Sequence, residues 1–340
     1  MNSILKLKVI LVPLIALLVL FLLIVILSDT PLKALYFFFA GPFRNIYSFG
    51  NMLNSAVPLI FGALGISIAM KVGCLNLGGE GQIYLGAFVA VITAFVLSRI
   101  GFAGSLLAII IGALSSGILC GFSGFCKAKW NVNELISTFL LSCAVIPVIN
   151  YFITGPFLDP ETSLISTGKI AENMRLMQIL KPSSLSIGFL IAIIFAFIVK
   201  YFIFNTKLGY EFRMTGHNEL FARYGGINTK LNTILAMTIS GFFYGLAGGL
   251  TVFGTNYSVI KEFSTGLGWS GLTVALIARF SPIAVIPGAI FLAWINSGAR
   301  ISMQNTGLTY EIAYIVQAVI LFLSTSIVIK NIFPKKGINK

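Results

Sequence analysis

The sequence predicts an all-α polytopic membrane protein of about ten transmembrane helices, N-in and C-in, with some helices short or broken and a faint two-half repeat. Three observations predict it. The chain is 57% hydrophobic and only 10% charged, with a mean hydropathy of +0.97. Several runs of eighteen or more residues carry no charge, and each is long enough to cross a hydrocarbon core of about 30 Å as a helix. The runs are continuous rather than alternating, unlike outer-membrane strands.

The apolar cores fall at 9–27, 52–70, 81–98, 102–126, 135–152, 185–204, 231–253, 263–278, 280–299 and 312–329. The first follows Lys6 and Lys8 as a signal peptide would. Its apolar run is too long and lacks a small-x-small cleavage site, so it reads as a retained helix. The second and third flank a polar break at 76–82. The eighth is short and glycine-rich, and reads as broken or partly spanning. Residues 28–51 form an external connection whose stretch 32–39 is suited to lie along the interface. Residues 154–184 form a second external connection, with three acids and three bases. Residues 205–230 form the longest internal connection and are suited to a short helix. No segment suffices for a separate soluble domain, so 1–340 reads as a single transmembrane domain. No Walker-type glycine loop occurs.

Orientation follows the cations. With the N-terminus inside, fifteen of the 23 Lys and Arg residues fall on the cytoplasmic side and eight outside, as the positive-inside rule requires. The net charge of +13 is then topology signal and attraction to anionic membrane lipid, with no nucleic-acid partner implied. Cys74, Cys120, Cys126 and Cys143 lie in or beside apolar spans without a C-x-x-C pair, so neither a disulfide framework nor a zinc site is indicated. His217 is the single histidine. A His-based triad or proton relay would lack its other members.

Four segments carry a family resemblance. Asn76-Leu77-Gly78-Gly79-Glu80-Gly81-Gln82 resembles the N-[LI]-G-x-E-G-Q signature of bacterial ATP-binding-cassette (ABC) importer permeases for nucleosides and simple sugars, in the branched-chain amino acid/ribose-like superfamily. Asn133-Glu134-Leu135-Ile136-Ser137-Thr138 resembles their N-E-[VL]-I-S-T stretch. Residues 216–227 are similar to their cytoplasmic G-x-N-x-x-A-A-R-Y-x-G-I segment, and 266–276 to their G-x-G-[FW]-x-G-[IL]-x-V-A-L element. The four stand in family order, and the resemblance is nearest to the longer permease of the nucleoside-type systems. It implies an importer subunit in the bacterial inner membrane that binds no cofactor, with ATP used by a partner ATPase. It also implies a second permease, a related but different chain, and an extracytoplasmic substrate-binding lipoprotein. The chain departs from the pattern at four positions: Glu219 where proline is frequent, Phe221 where a second alanine is, Ser270 where an acid is, and Ser142 where an asparagine is.

Each segment has two readings. At 76–82, a discontinuous helix start would turn free N–H groups and the Asn76, Glu80 and Gln82 side chains, with Gly78 and Gly79, toward a solute path. The competing reading is capping and close packing, with Glu80 on the helix dipole or paired with Lys71. Gly268 and Trp269 are the corresponding path candidates in the second half. Gly241, Gly245, Gly248 and Gly249 read as packing surface. Asn131 and Glu134 fit a capping-box variant at the fifth span. In 209–228, Gly209, Arg213, Gly216, Asn218, Ala222, Arg223 and Gly226 are candidates for coupling to the ATPase. Gly209 and Gly216 are suited to break a helix there, and Gly225-Gly226 to end it. The competing reading is an ordinary basic loop.

An ion-coupled secondary transporter is the alternative. It would need intramembrane carboxylates, and Glu80, Glu134 and Glu311 all lie at span ends. An embedded enzyme would need a His, Asp or Cys cluster that the sequence does not supply.

Overall fold

The computed structural model describes residues 3–332, with side chains over 14–323. Thirteen α-helices, four short 3-10 helices, one π-helical turn (Val252–Asn256) and isolated β-bridges make up the regular structure of the described residues. Seven helical segments are long and apolar enough to cross a membrane: Ile46–Val72, Gly79–Ile100, Phe102–Trp130, Glu134–Thr154, Gly188–Asn205, Thr229–Asn256 and Pro282–Thr306. Shorter apolar helices cover Leu14–Leu27, Leu267–Ile277 and Glu311–Leu323. Each of the ten predicted apolar cores overlaps a helix, with 185–187, 263–266, Ala278 and 280–281 lying outside it.

In chain order the helices are α1 (Ser3–Leu27), α2 (Pro31–Phe39), α3 (Ile46–Ala69), α4 (Gly79–Leu97), α5 (Phe102–Trp130), α6 (Glu134–Thr154) and α7 (Gly188–Asn205), followed by α8 (Lys207–His217), α9 (Glu219–Tyr224), α10 (Thr229–Thr251), α11 (Leu267–Ile277), α12 (Pro282–Thr306) and α13 (Glu311–Ile332). Two boundaries differ from the hydropathy reading in a consequential way. α3 starts at Ile46 rather than 52, because Asn45 caps it by accepting the Ser48 N–H at 2.7 Å. α12 runs on to Thr306, where Gly307 in the left-handed region ends it. Both extensions carry polar residues that a hydropathy window cuts away.

α10 is the central helix and packs against α3, α4 and α5. Lipid supplies no hydrophobic drive for helix association, so close contact must come from small residues. Here a methyl on Gly245 would lie 2.6 Å from the Ala113 Cα, and one on Gly248 would lie 2.1 Å from the Ile83 carbonyl. The packing reading of the 240s glycines agrees with this geometry. A second, smaller core joins α1, α2, α12 and α13 through Leu20, Phe38, Ile295 and Ile312. The connection 155–187 lies over the end of α10, with Ile170 N–H donating to Tyr257 O at 2.8 Å and Leu176 N–H to Phe253 O at 2.9 Å.

Two elements begin inside the bundle rather than at its ends. Residues 73–78 lack helix and run inward from the end that carries α8. Asn76 there reaches Ser240, halfway along α10. α4 thus starts near mid-depth. From the opposite end, 257–266 leads to α11, whose 11 residues span only about 16 Å, half of what a membrane needs. Val274 and Ile277 of α11 pack against Gly288 in the first third of α12. The other end of α12 lies against α2. α4 and α11 therefore point in opposite senses from a common level.

Candidate functional site

The starts of α4 and α11 meet. A methyl on Gly79 would sit 2.9 Å from the Gly268 Cα and 2.6 Å from the Tyr244 ring, and one on Gly268 would sit 2.6 Å from the Glu80 nitrogen. Gly266 closes the approach to α11 at φ 80, a left-handed conformation that glycine adopts without steric cost. Its N–H donates to Glu80 Oε1 at 2.6 Å. Glu80 thus opposes the positive start of α11 as well as lying in the first turn of α4. No ion pair between Glu80 and Lys71 occurs among the described residues.

The amides of this break are closed on each other. Asn76 Nδ2 donates to Gln82 Oε1 at 2.7 Å, and Gln82 Nε2 returns a bond to Asn76 Oδ1 at 3.0 Å. Asn76 also accepts the Gly78 N–H at 2.9 Å. Both side chains are buried. Thr138 and Ser142 of α6 take the N–H groups of Leu77 and Gly81 at 3.1 and 2.7 Å. Free backbone groups cannot be left to lipid, and here neighbouring helices accept them.

A polar cleft opens beside α11 instead. Two adjoining lobes of about 510 and 500 Å³ share Tyr47, Asn51, Ser55, Phe263, Leu267 and Arg300. One lobe adds Asn54, Gln178, Thr255 and Asn256. The other adds Gly266, Ser270, Asn296, Gln304, Tyr310, Tyr314 and Gln317. Ser270 Oγ bonds Gln317 Oε1 at 3.2 Å. Arg300 lies 5.9 Å from the Tyr310 ring and has no carboxylate partner among the described residues. Of the predicted path residues, the lining of this cleft includes none. Gly268 carries a carbonyl facing the Tyr244 hydroxyl at 3.5 Å, and Trp269 is exposed outside the lining. The signal that was missed is helical spacing: Asn51/Asn54 and Asn296/Arg300/Gln304 recur every three or four residues, on one face.

At the other end, α8 runs unbroken through Gly209 and Gly216, which corrects their expected role as breaks. Each glycine permits contact. A methyl on Gly209 would lie 2.1 Å from the Phe202 carbonyl, and one on Gly216 would lie 2.2 Å from that of Lys71. The second contact seats α8 on the residues that lead into 73–78. Arg213 stacks 5.3 Å over Phe204. Asn218 caps α9 by accepting the Phe221 N–H at 3.0 Å, so proline is not needed to start it. Ala222 is buried, Arg223 pairs with Glu219 and donates to Thr229 Oγ1 at 3.0 Å, and Gly226 takes φ 77 after α9 ends at Tyr224. Leu220, Phe221 and Tyr224 stay exposed, Tyr224 at 92%.

The capping box expected from Asn131 is corrected as well. Asn131 ends α5 in the left-handed region, and Asn133 caps α6 by accepting the Leu135 N–H at 2.9 Å. Glu134 pairs with Lys127 at 2.8 Å. Cys74 is a free, buried thiol in the segment leading to α4.

Residues 48–325 match the family described as branched-chain amino acid transport system / permease component. The chain is 32% identical to a probable riboflavin import permease of Treponema pallidum, over 88% of this chain and 80% of that protein. It is 31% identical to a guanosine ABC transporter permease of Bacillus subtilis, over 88% of each. It is 30% identical to a nucleoside ABC transporter permease of Lactococcus lactis, over 97% and 94%. The last two organisms each hold a second, more distant relative of the same printed description, at 26% and 25% identity.

Proposed function

We propose, for a chain that belongs to the family of branched-chain amino acid transport system permease components, that its polar cleft forms half of a path for nucleosides. The chain is a multi-pass membrane protein and the permease subunit of an ABC importer. The observation that carries the path assignment is the cleft itself. Asn296, Arg300, Gln304 and Tyr310 lie open on one side of a membrane bundle, where lipid would leave their polar groups unsatisfied. A second permease covering that side completes a water-filled route. The paired relatives in two organisms support a related but different chain in this role. Amides for ribose and base edges, with Tyr47, Phe263, Tyr310 and Tyr314 for base faces, suit a nucleoside. An arginine without a carboxylate disfavours cationic solutes.

The orientation that fits is N-in, C-in in the bacterial inner membrane, with a lipoprotein receptor delivering solute at the cleft end. Exposed Leu220, Phe221 and Tyr224 form an aromatic-rich patch of the kind that anchors interfaces, here for a cytoplasmic ATPase. ATP is used by that separate subunit. Movement of α9 reaches α8 and, through the Gly216–Lys71 contact, the strap 73–78 and the α4–α11 junction. Altering Gly216 or Asn218 is therefore expected to uncouple ATP hydrolysis from transport while assembly persists.

The test is uptake of labelled guanosine, uridine, ribose and riboflavin by proteoliposomes holding the complete transporter. Saturable nucleoside uptake that requires internal ATP and resists ionophores supports the reading. Uptake that survives ATP depletion but collapses with an ion gradient would establish a secondary transporter, and preference for riboflavin or ribose would overturn the substrate.

A further inference from the structure

A cavity of about 510 Å³ lies at the α8 end, between α5, α9 and α10, with Lys127, Lys129, Arg223 and Lys230 in its lining. Thr215 and Thr233 add hydroxyls, and Glu219 is the acid among the lining residues. That carboxylate is committed to Arg223, and nearby Glu134 is committed to Lys127. Lys129 and Lys230 have no carboxylate partner among the described residues. Neither has a role in the path or the coupling contacts described above. Cations kept on one side by topology are ordinarily solvated and scattered. Four line one cavity here, and two of them lack a carboxylate partner among the described residues, so the charge balance of the lining favours an anion.

The kind of anion follows from what adjoins it. The Lys129 ammonium lies 5.4 Å from the Phe125 ring and 5.0 Å from that of Trp130. Ile118, Phe122 and Phe125 are exposed and share the α5 face of Lys129 at spacings of three and four residues. Trp130 is exposed at the end of that stripe, as aromatic residues at a membrane interface are. Lys129 thus belongs both to the cavity lining and to the end of this apolar stripe. We infer that the cavity binds the phosphodiester headgroup of an anionic phospholipid, with an acyl chain along Ile118, Phe122 and Phe125.

The experiment is native mass spectrometry of the assembled transporter, with its partner permease and ATPase, after exchange into phosphatidylglycerol or phosphatidylcholine. Retention of phosphatidylglycerol over phosphatidylcholine is expected. The double variant Lys129→Gln/Lys230→Gln should retain it roughly thirtyfold less, taking about 1 kcal/mol per cation near an anionic surface and about 1.4 kcal/mol per decade. Lys207→Gln, an exposed cation outside this cavity, should retain it normally. Equal retention by the double variant, no preference between the lipids, or displacement by inorganic phosphate would each overturn the lipid assignment. So would retention only after the ATPase is removed, which would make the cavity part of that interface. Should the double variant fail to assemble, brominated lipids on the wild type decide. Stronger quenching of Trp130 fluorescence by brominated phosphatidylglycerol than by brominated phosphatidylcholine, absent in Trp130→Phe, upholds the site; equal quenching removes it.

Discussion

The two interrupted elements of this protein solve one problem with opposite outcomes. At 73–82 the chain enters the bundle without helix, and its side chains close the opening. Asn76 and Gln82 bond each other, and α6 accepts the nearby N–H groups. At 257–270 the chain enters from the other end, and its polar groups face a cleft lined by Gly266, Ser270, Asn296 and Arg300. Glu80 joins the two by holding the Gly266 N–H. A polar break in a membrane helix is thus not yet a path. What separates seal from route is whether its hydrogen-bonding capacity is already taken.

The largest expected effects test the seal. Asn76→Leu strands the Gln82 amide and the Gly78 N–H, and each unsatisfied buried group costs about 1–3 kcal/mol. Thermal unfolding of the detergent-solubilised transporter should shift down strongly, with uptake lost through lost protein. The double variant Asn76→Leu/Gln82→Leu should recover part of the loss, because removing both partners leaves fewer groups unpaired. If Asn76→Leu keeps wild-type stability and changes only substrate preference, the seal is in truth a route. Gly268→Val comes next. Its side chain would overlap the Glu80 backbone, and overpacking costs about 1–3 kcal/mol. Gly79→Val should match it, since each glycine faces the other.

Most of the fold was legible because membrane helices announce themselves by length and apolar composition. The 76–82 and 266–271 segments were legible too, as glycine-rich interruptions of apolar runs that carry polar side chains. Their division of labour was not. Whether Asn76 faces a solute or Gln82 depends on a bond closed across six positions and a contact to Ser240, which only the fold brings about. The cleft was hidden for a different reason. Asn51 and Arg300 sit in helix turns that hydropathy assigns to connections, because the rule that finds spans rejects their most polar ends. In 205–230, Gly209 and Gly216 suggested breaks, whereas α8 runs through both of them. Gly216 is there for a backbone contact with Lys71, not for a break.

Arg300→Gln tests the route. Arg300 is exposed and free of ion pairs among the described residues, so stability should hold within about 0.5 kcal/mol. The cleft would lose the one cation in its described lining. Inhibition of nucleoside uptake by amine-bearing nucleoside analogues should strengthen several-fold, read as a fall in their half-inhibitory concentration. An unfolding shift like that of Asn76→Leu would instead make Arg300 part of the scaffold.

The smallest effects grade the route by depth. Asn296 and Gln304 share one face of α12, about 12 Å apart at 1.5 Å per residue. Gln304 lies near the mouth, two residues from the helix end at Thr306, and water reaches it with or without solute. Asn296 lies deeper, so a solute must replace the water it displaces there. A hydrogen bond contributes about 0.5–1.5 kcal/mol net, which corresponds to roughly two- to twelvefold in half-saturation. Asn296→Ala should raise the half-saturating nucleoside concentration near the top of that range, and Gln304→Ala near the bottom. Both should leave the unfolding temperature unchanged. Equal effects would describe a vestibule open along its whole length, whereas the reverse order would put the tightest contact at the mouth and move the route away from the α4–α11 junction.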